Sequence, residues 1–304
     1  DFAQPLDNAK PPCIGKFTLC NQHIQFKISP NAYISRSMNV RRKRTSARDL
    51  GYFNKYWETL SQGIRNILTG TWEVISYEAI YRDCYRLILG EYGDKLYSSI
   101  RELIVQHLEK VASLKIVPAL PISEANSSQT NFANMIFLKI LKNVWERHKA
   151  NMLSLRDVVM YMDYLYANAA NVPLIYELGL ELFRDIIVKS TKYPIQTHLL
   201  NTFLYQIFLE REKEIIDRSI MKAITEMLLE LTDENTKDSV YNIDFERLFL
   251  EKSSEYYRIE GHLLNVLNEE QERVEYYLSQ TKGPKIRCIV KEELILKQLK
   301  TVIE

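Results

Sequence analysis

Tyr77, Tyr81 and Tyr85 recur every four residues within the segment 76–91, and a spacing of four puts side chains on one face of a helix. A row of phenol rings carries apolar area with a polar tip, which suits protein recognition rather than bond breaking. The ordinary apolar stripe of the same segment is Ile80, Cys84, Leu87 and Ile88. Wound at about 100° per residue, stripe and rings together span an arc of about 160°, against roughly 100° for a surface helix with one core to face. Two outcomes stay open for the surplus. The helix lies between two layers of its own protein, or it presents tyrosines to another protein.

Other chemistry is scarce. No Walker loop, GxGxxG, HExxH or GxSxG occurs. His23, His107, His148, His198 and His262 are far apart and lack metal-ligand spacing, so each reads as a surface or core histidine. Cys13, Cys20, Cys84 and Cys288 form neither a disulfide framework nor a zinc pattern, which indicates a reducing compartment. Glu269-Glu270 and Glu292-Glu293 read as solvated helix faces. No catalytic residue, cofactor or metal is expected. The basic cluster Arg36, Arg41, Arg42, Lys43, Arg44 and Arg48 reads either as a localisation or nucleic-acid patch or as a solvated segment before a helix. The second reading is favoured, because no aromatics are interleaved and the formal net charge is only +1. No apolar run reaches about 18 residues, and Asp1–Lys10 lacks the basic and apolar regions of a signal peptide. Neither nucleic acid nor membrane is expected as a partner.

The elements that must position the tyrosines are helices. Glycine is scarce, 9 in 304 residues, and the runs are rich in Leu, Glu, Lys, Ile and Arg. Residues 1–48 differ: they hold Pro5, Pro11, Pro12 and Pro30, with Ile24, Phe26 and Ile28 alternating with polar residues. They read as an extension, flexible unless a partner orders it. From Asp49 the pattern predicts helices over about 49–69, 76–91, 94–116, 131–147 and 148–168, with Ser76 as an N-cap and a long loop over 117–130. Val172-Pro173 breaks the chain, and further helices follow at about 174–190, 194–215, 217–231, 241–263 and 266–280. Gly283-Pro284 is a second break, before an amphipathic helix over 286–304. Antiparallel helices in stacked units of about 110–120 residues give the expected class, an all-α, elongated α-solenoid.

Several stretches carry a family resemblance. Phe53-Asn-Lys-Tyr-Trp-Glu-Thr-Leu, Ser76-Tyr-Glu-Ala-Ile-Tyr-Arg-Asp-Cys-Tyr85 and Gly93-Asp-Lys-Leu-Tyr97 resemble the first repeat of a cullin, as do Trp145-Glu-Arg-His and the run Ser154–Tyr166. Tyr176–Ile186 resembles the start of a second repeat, and Val290–Lys300 the start of a third. Within the family the nearest class is cullin-3, which uses BTB-domain adaptors. The resemblance implies five-helix cullin repeats over 49–170 and 171–282, and a truncated third repeat over 283–304. It implies a non-catalytic scaffold of a ubiquitin ligase in cytoplasm and nucleus, docking its adaptor on helices two and five of the first repeat. The family's C-terminal half, which carries the RING-box protein and the lysine for the ubiquitin-like modifier, has no counterpart here, so a fragment is expected. The family's second repeat is also longer between Gly261-His262 and Leu267–Glu270.

Carried over residue by residue, the resemblance puts adaptor contacts on Tyr77, Glu78, Tyr81, Tyr85 and Tyr161. Tyr81 and Tyr85 are the expected central anchors, with Tyr77 filling an apolar pocket and Glu78 meeting a basic rim. In the fifth helix Met152, Leu155, Val159 and Met162 read as core, and Asp157, Tyr161, Tyr164 and Asn168 as a second stripe. Position 77 is often phenylalanine in the class and position 164 often arginine, so Tyr164 alters the charge of the rim. Ile24, Phe26, Ile28 and Ile34 of the extension are candidates for a groove on the adaptor. Two other readings stand beside this one: a helical tethering or trafficking solenoid, and a cullin that uses a Skp- or elongin-type adaptor.

Overall fold

Helix α1, Ala47–Thr69, opens a body that is helical in almost every described residue of the computed structural model. The structure describes residues 17–19, 22–24, 47–71, 77–121, 127–233, 236–259, 264–278 and 288. Ahead of α1, two three-residue strands, β1 (Phe17–Leu19) and β2 (Gln22–Ile24), pair antiparallel with Phe17 opposite Ile24. The rest of the extension as far as residue 46 lies outside the described residues, as do Ser76, 260–263 and the helix expected over 286–304, Cys288 excepted, while Ala47 and Arg48 already belong to α1. After α1 come α2 (Tyr77–Leu89), α3 (Gly93–Val111), α4 (Ser127–Val158), α5 (Asn168–Ala170) and α6 (Ile175–Phe183). Then follow α7 (Ile195–Arg211), α8 (Arg218–Glu230), α9 (Arg247–Ile259) and α10 (Leu264–Tyr276). The fold is all-α.

Two expectations change. The helices expected at 131–147 and 148–168 are one helix, α4, as far as Val158. No glycine or proline lies between Ser127 and Val158, and Phe137, Leu138, Leu141, Trp145, His148, Met152 and Leu155 stay buried in one unbroken helical phase. The loop expected over 117–130 is shorter as well. Ala112–Ile116 continues α3 as a π turn, Val117–Ala119 is a 3-10 turn, and α4 starts at Ser127.

Packing divides the chain into two compact units, Asp1–Ile104 with Ala150–Leu178, and Val105–Lys149 with Gly179–Glu304. In the first, Leu60, Ile64 and Ile67 of α1 meet a core shared with Ile80, Leu87, Leu96, Ile100, Met152 and Leu155. Helix α1 ends where Gly70 takes φ 78°. There the Thr71 N–H donates to Asn66 O at 3.0 Å and the Gly70 N–H to Ile67 O at 3.1 Å, the Schellman pattern. Buried Asn151 of α4 donates from Nδ2 to the Leu68 carbonyl at 2.7 Å, satisfying another carbonyl of that end.

The second unit holds two buried polar features. His148 packs on the Phe183 ring, centroids 5.0 Å apart, with Trp145 4.9 Å from the same ring, and its Nε2–H donates to the Gly179 carbonyl at 2.9 Å. Burial pushes its pKa down to about 4. A histidine whose folded value is depressed stays neutral in the fold, and the unfolded chain binds its proton first as pH falls. The fold therefore loses stability between about pH 6.5 and 4, by as much as about 3 kcal/mol from this group alone. His148→Gln is expected to flatten that part of the stability–pH profile in urea melts, and an unchanged slope would contradict the assignment.

The other feature corrects the reading of Glu269-Glu270 as a solvated pair. Glu270 is only 2% exposed and faces Arg211 of α7 and Arg273 of its own helix. Arg273 sits three residues on, where an acid and a base share one helix face. Arg273 also donates from Nε to Glu210 at 3.0 Å, and Tyr277 Oη donates to the same carboxylate at 2.6 Å.

Candidate partner-docking surface

Helix α2 packs against α1 because α1 carries no side chain at Gly63. A Cβ there would lie well inside van der Waals contact with Ile80 Cδ1. Ile80, Cys84, Leu87 and Ile88 are all buried, as their stripe requires. Burial and the carboxylate of Asp163 push the Cys84 thiol far above its ordinary range, so it is packing rather than a nucleophile.

The tyrosines divide. Tyr77 and Tyr81 are half-buried and Glu78 is exposed. Tyr85 is 8% exposed and Tyr161 is 7% exposed, so the chain encloses both rings. Tyr161 links the row: its ring lies 4.8 Å from that of Tyr85 and 5.4 Å from that of Tyr81, both tilted. Tyr164, three residues on, is 65% exposed. The structure thus brings Tyr81, Tyr85 and Tyr161 into one cluster, with Tyr85 and Tyr161 as its floor. Periodicity could not separate these depths, since an arc wider than a single core requires does not say which edge is covered. Ile24 is described only through its backbone pairing, and Phe26, Ile28 and Ile34 lie outside the described residues.

Sequence reasoning did not single out Asp83, 7% exposed on α2. Burial pushes its carboxyl pKa up, against the pull of Arg82 and Arg86. Arg86 Nη1 lies 3.5 Å from Asp83 Oδ1, and its guanidinium sits 5.3 Å from the centre of the Tyr56 ring. The alternation Arg82-Asp83…Arg86 was visible in the sequence, but burial of the acid was not. Among the described residues no group of three or more His, Cys, Asp or Glu could hold a metal ion, and no helix is long and apolar enough to cross a membrane. The surface offers rings, the carboxylates of Glu78 and Asp83, and arginines. It can bind a protein, and it assembles no nucleophile with a base.

Comparison with known proteins bears on the same residues. The model of the cullin alpha solenoid domain matches residues 57–304. The chain belongs to the cullin family. Among curated cullins it is 34% identical to Cullin-3B of Arabidopsis thaliana over 269 residues, 84% of this chain and 34% of that protein. It is 33% identical to Cullin-3 of Dictyostelium discoideum over 270 residues, 84% of this chain and 33% of that one. Cullin-3 of Schizosaccharomyces pombe is 26% identical over 299 residues, 89% of this chain and 38% of that protein. This cullin chain therefore spans about a third of the length of the curated relatives it matches. The match corresponds to the N-terminal solenoid region that the sequence motifs suggested.

Proposed function

We propose that this chain is the adaptor-binding scaffold region of a cullin-RING ubiquitin ligase, and that it docks a BTB-domain protein on α2 and the segment Tyr161–Tyr164. One observation carries the reading: half-buried Tyr81 rests on a floor of Tyr85 and Tyr161, with half-buried Tyr77 and exposed Glu78 on the same helix and exposed Tyr164 three residues beyond Tyr161, in a chain similar to Cullin-3 proteins. Tyr81 is the central anchor of this surface. Tyr77 and Tyr164 form its edges, and Glu78 pairs with a basic rim on the partner. Tyr85 and Tyr161 contribute rigidity more than contact area. The chain performs no chemistry. RING-box protein and the ubiquitin-like modifier join through a further part of the ligase, in cytoplasm and nucleus. Residues 49–170 and 171–282 serve as the first two cullin repeats and 283–304 begins a third. The extension adds contacts through Ile24, Phe26, Ile28 and Ile34.

The test mixes the purified chain with a homodimeric BTB-domain protein, a Skp-type adaptor and an elongin-type adaptor, and reads the mass of each complex. A stoichiometric complex with the BTB protein alone is expected, weakened when residues 1–48 are removed. Preference for another adaptor, or no complex at all, overturns the reading. Unchanged affinity without residues 1–48 removes the extension from the interface.

A further inference from the structure

We infer that the π-helical stretch Met162–Ala167 sets which part of a partner Tyr164 can meet while Tyr161 stays in the floor, and that Gly93, Asp94 and Tyr166 are the positioning residues that hold it. The inference rests on the docking role proposed above and assigns the device that shapes its second edge.

In a regular α-helix, Tyr161, Tyr164 and Asn168 would continue one stripe with Asp157. A π turn advances by about 80° per residue instead of about 100°, so over three steps it lags an α-helix by about 60°. The two rings diverge accordingly. Tyr161 turns into the chain beside Tyr81 and Tyr85, and Tyr164 stands out from it. Other π stretches occur at Ala112–Ile116, Arg184–Val188 and Tyr241–Glu246, so winding alone singles out nothing. What distinguishes Met162–Ala167 is its place: it follows directly on Tyr161, carries Tyr164 and packs beside α2.

The stretch is fastened at both ends. Near its start, Asp163 Oδ1 accepts the Ile175 N–H at 2.8 Å, and the Asp163 carbonyl accepts Asn168 Nδ2 at 2.8 Å. Near its end, Tyr166 Oη donates to Asp94 Oδ1 in the first turn of α3 at 2.5 Å. The Tyr166 ring lies across Gly93, where a Cβ would come well inside van der Waals contact with the ring, so the position admits only a bare backbone. Tyr97 backs the same ring with centroids 5.7 Å apart, and its own hydroxyl donates to the Pro173 carbonyl at 2.8 Å. These contacts fix the rotation of the stretch, and with it the direction in which Tyr164 leaves the surface.

The test compares wild type with Tyr166→Phe, which keeps the ring on Gly93 and loses the hydroxyl, and with Asp94→Ala, with Asp94→Asn as the conservative variant that retains an acceptor oxygen. Loss of the Tyr166–Asp94 bond is expected to raise the dissociation rate of a purified homodimeric BTB-domain protein about fivefold, and Asp94→Asn to restore most of it. The effect should disappear in a Tyr164→Ala background, because its consequence is the placement of that ring; a merely structural role gives additive losses. Without adaptor, amide exchange over 162–167 should quicken in Tyr166→Phe while α1 and α2 keep their protection. Neutral variants, or losses additive with Tyr164→Ala, in a wild type that binds the BTB protein overturn this inference alone. A wild type that binds no BTB protein overturns the docking role and the reading it rests on.

Discussion

Glu270→Ala is expected to lower the unfolding free energy of the chain by about 3–5 kcal/mol, the loss typical when one partner of a buried ion pair is removed. Glu270 accepts from Arg211 Nε at 2.9 Å and from Arg273 Nη1, and Arg273 in turn reaches Glu210 at 3.0 Å. Arg211 also donates to Ser253 Oγ at 2.8 Å, and its guanidinium lies 5.0 Å from the centres of the Tyr256 and Tyr257 rings. Two buried guanidiniums thus face two buried carboxylates, with part-exposed Arg218 also on Glu210 at 2.5 Å, and the alanine leaves Glu210 as the one buried anion of the group. Replacing Arg211 and Glu270 together by leucine should recover most of the loss, since an apolar pair of similar volume is often neutral against a buried ion pair. Urea unfolding followed by circular dichroism reads both variants, and an unshifted Glu270→Ala midpoint would show that the network contributes nothing. The pH dependence has a definite sign. Burial pushes the Glu270 carboxyl up, but Arg211 and Arg273 outweigh it and hold it below its ordinary value. Its contribution is therefore present above the ordinary carboxylate range and is lost as pH falls through the lower folded value.

Tyr81→Lys is expected to weaken binding of a BTB-domain adaptor at least about thirtyfold, corresponding to about 2 kcal/mol for a central anchor. Tyrosine provides a wide rigid ring with few torsions to freeze, and lysine replaces it with a long flexible chain ending in a hydrated cation. Tyr81 is half-buried and rests against Tyr161 rather than in the core, so the melting midpoint should hold. Tyr85 and Tyr161 do not serve for this test: removing either opens a cavity, and affinity falls together with stability. Calorimetric titration with parallel thermal melts separates the two effects. Undiminished affinity of a folded Tyr81→Lys chain would remove α2 from the interface.

Much of this architecture is legible in the sequence because helical periodicity reports burial directly. Ile80, Cys84, Leu87 and Ile88 fall on the inner face of α2, and Met152, Leu155, Val159 and Met162 in the core, where their spacing puts them. The continuity of α4 was legible too, in the unbroken phase from Phe137 to Leu155, although 131–147 and 148–168 read as two helices. Other features depend on partners distant in sequence. Glu270 is buried because Arg211, 59 residues earlier, reaches it. The outward turn of Tyr164 depends on a π winding that Asp94 and Gly93 help to hold, and no local pattern announces it. The inward position of Tyr85 and Tyr161 follows from their packing on each other, which spacing alone left open.

The bare backbone at Gly63 has an evolutionary consequence. The depth at which α2 seats on α1 is set by the volume shared between positions 63 and 80, on the buried face of α2. A change of bulk at either one alone, Gly63→Ala or Ile80→Val, would shift the whole helix by a fraction of an ångström. Tyr77, Glu78 and Tyr81 would travel together without a change in their own identity. Partner preference in such a scaffold can therefore drift through substitutions that never touch the partner.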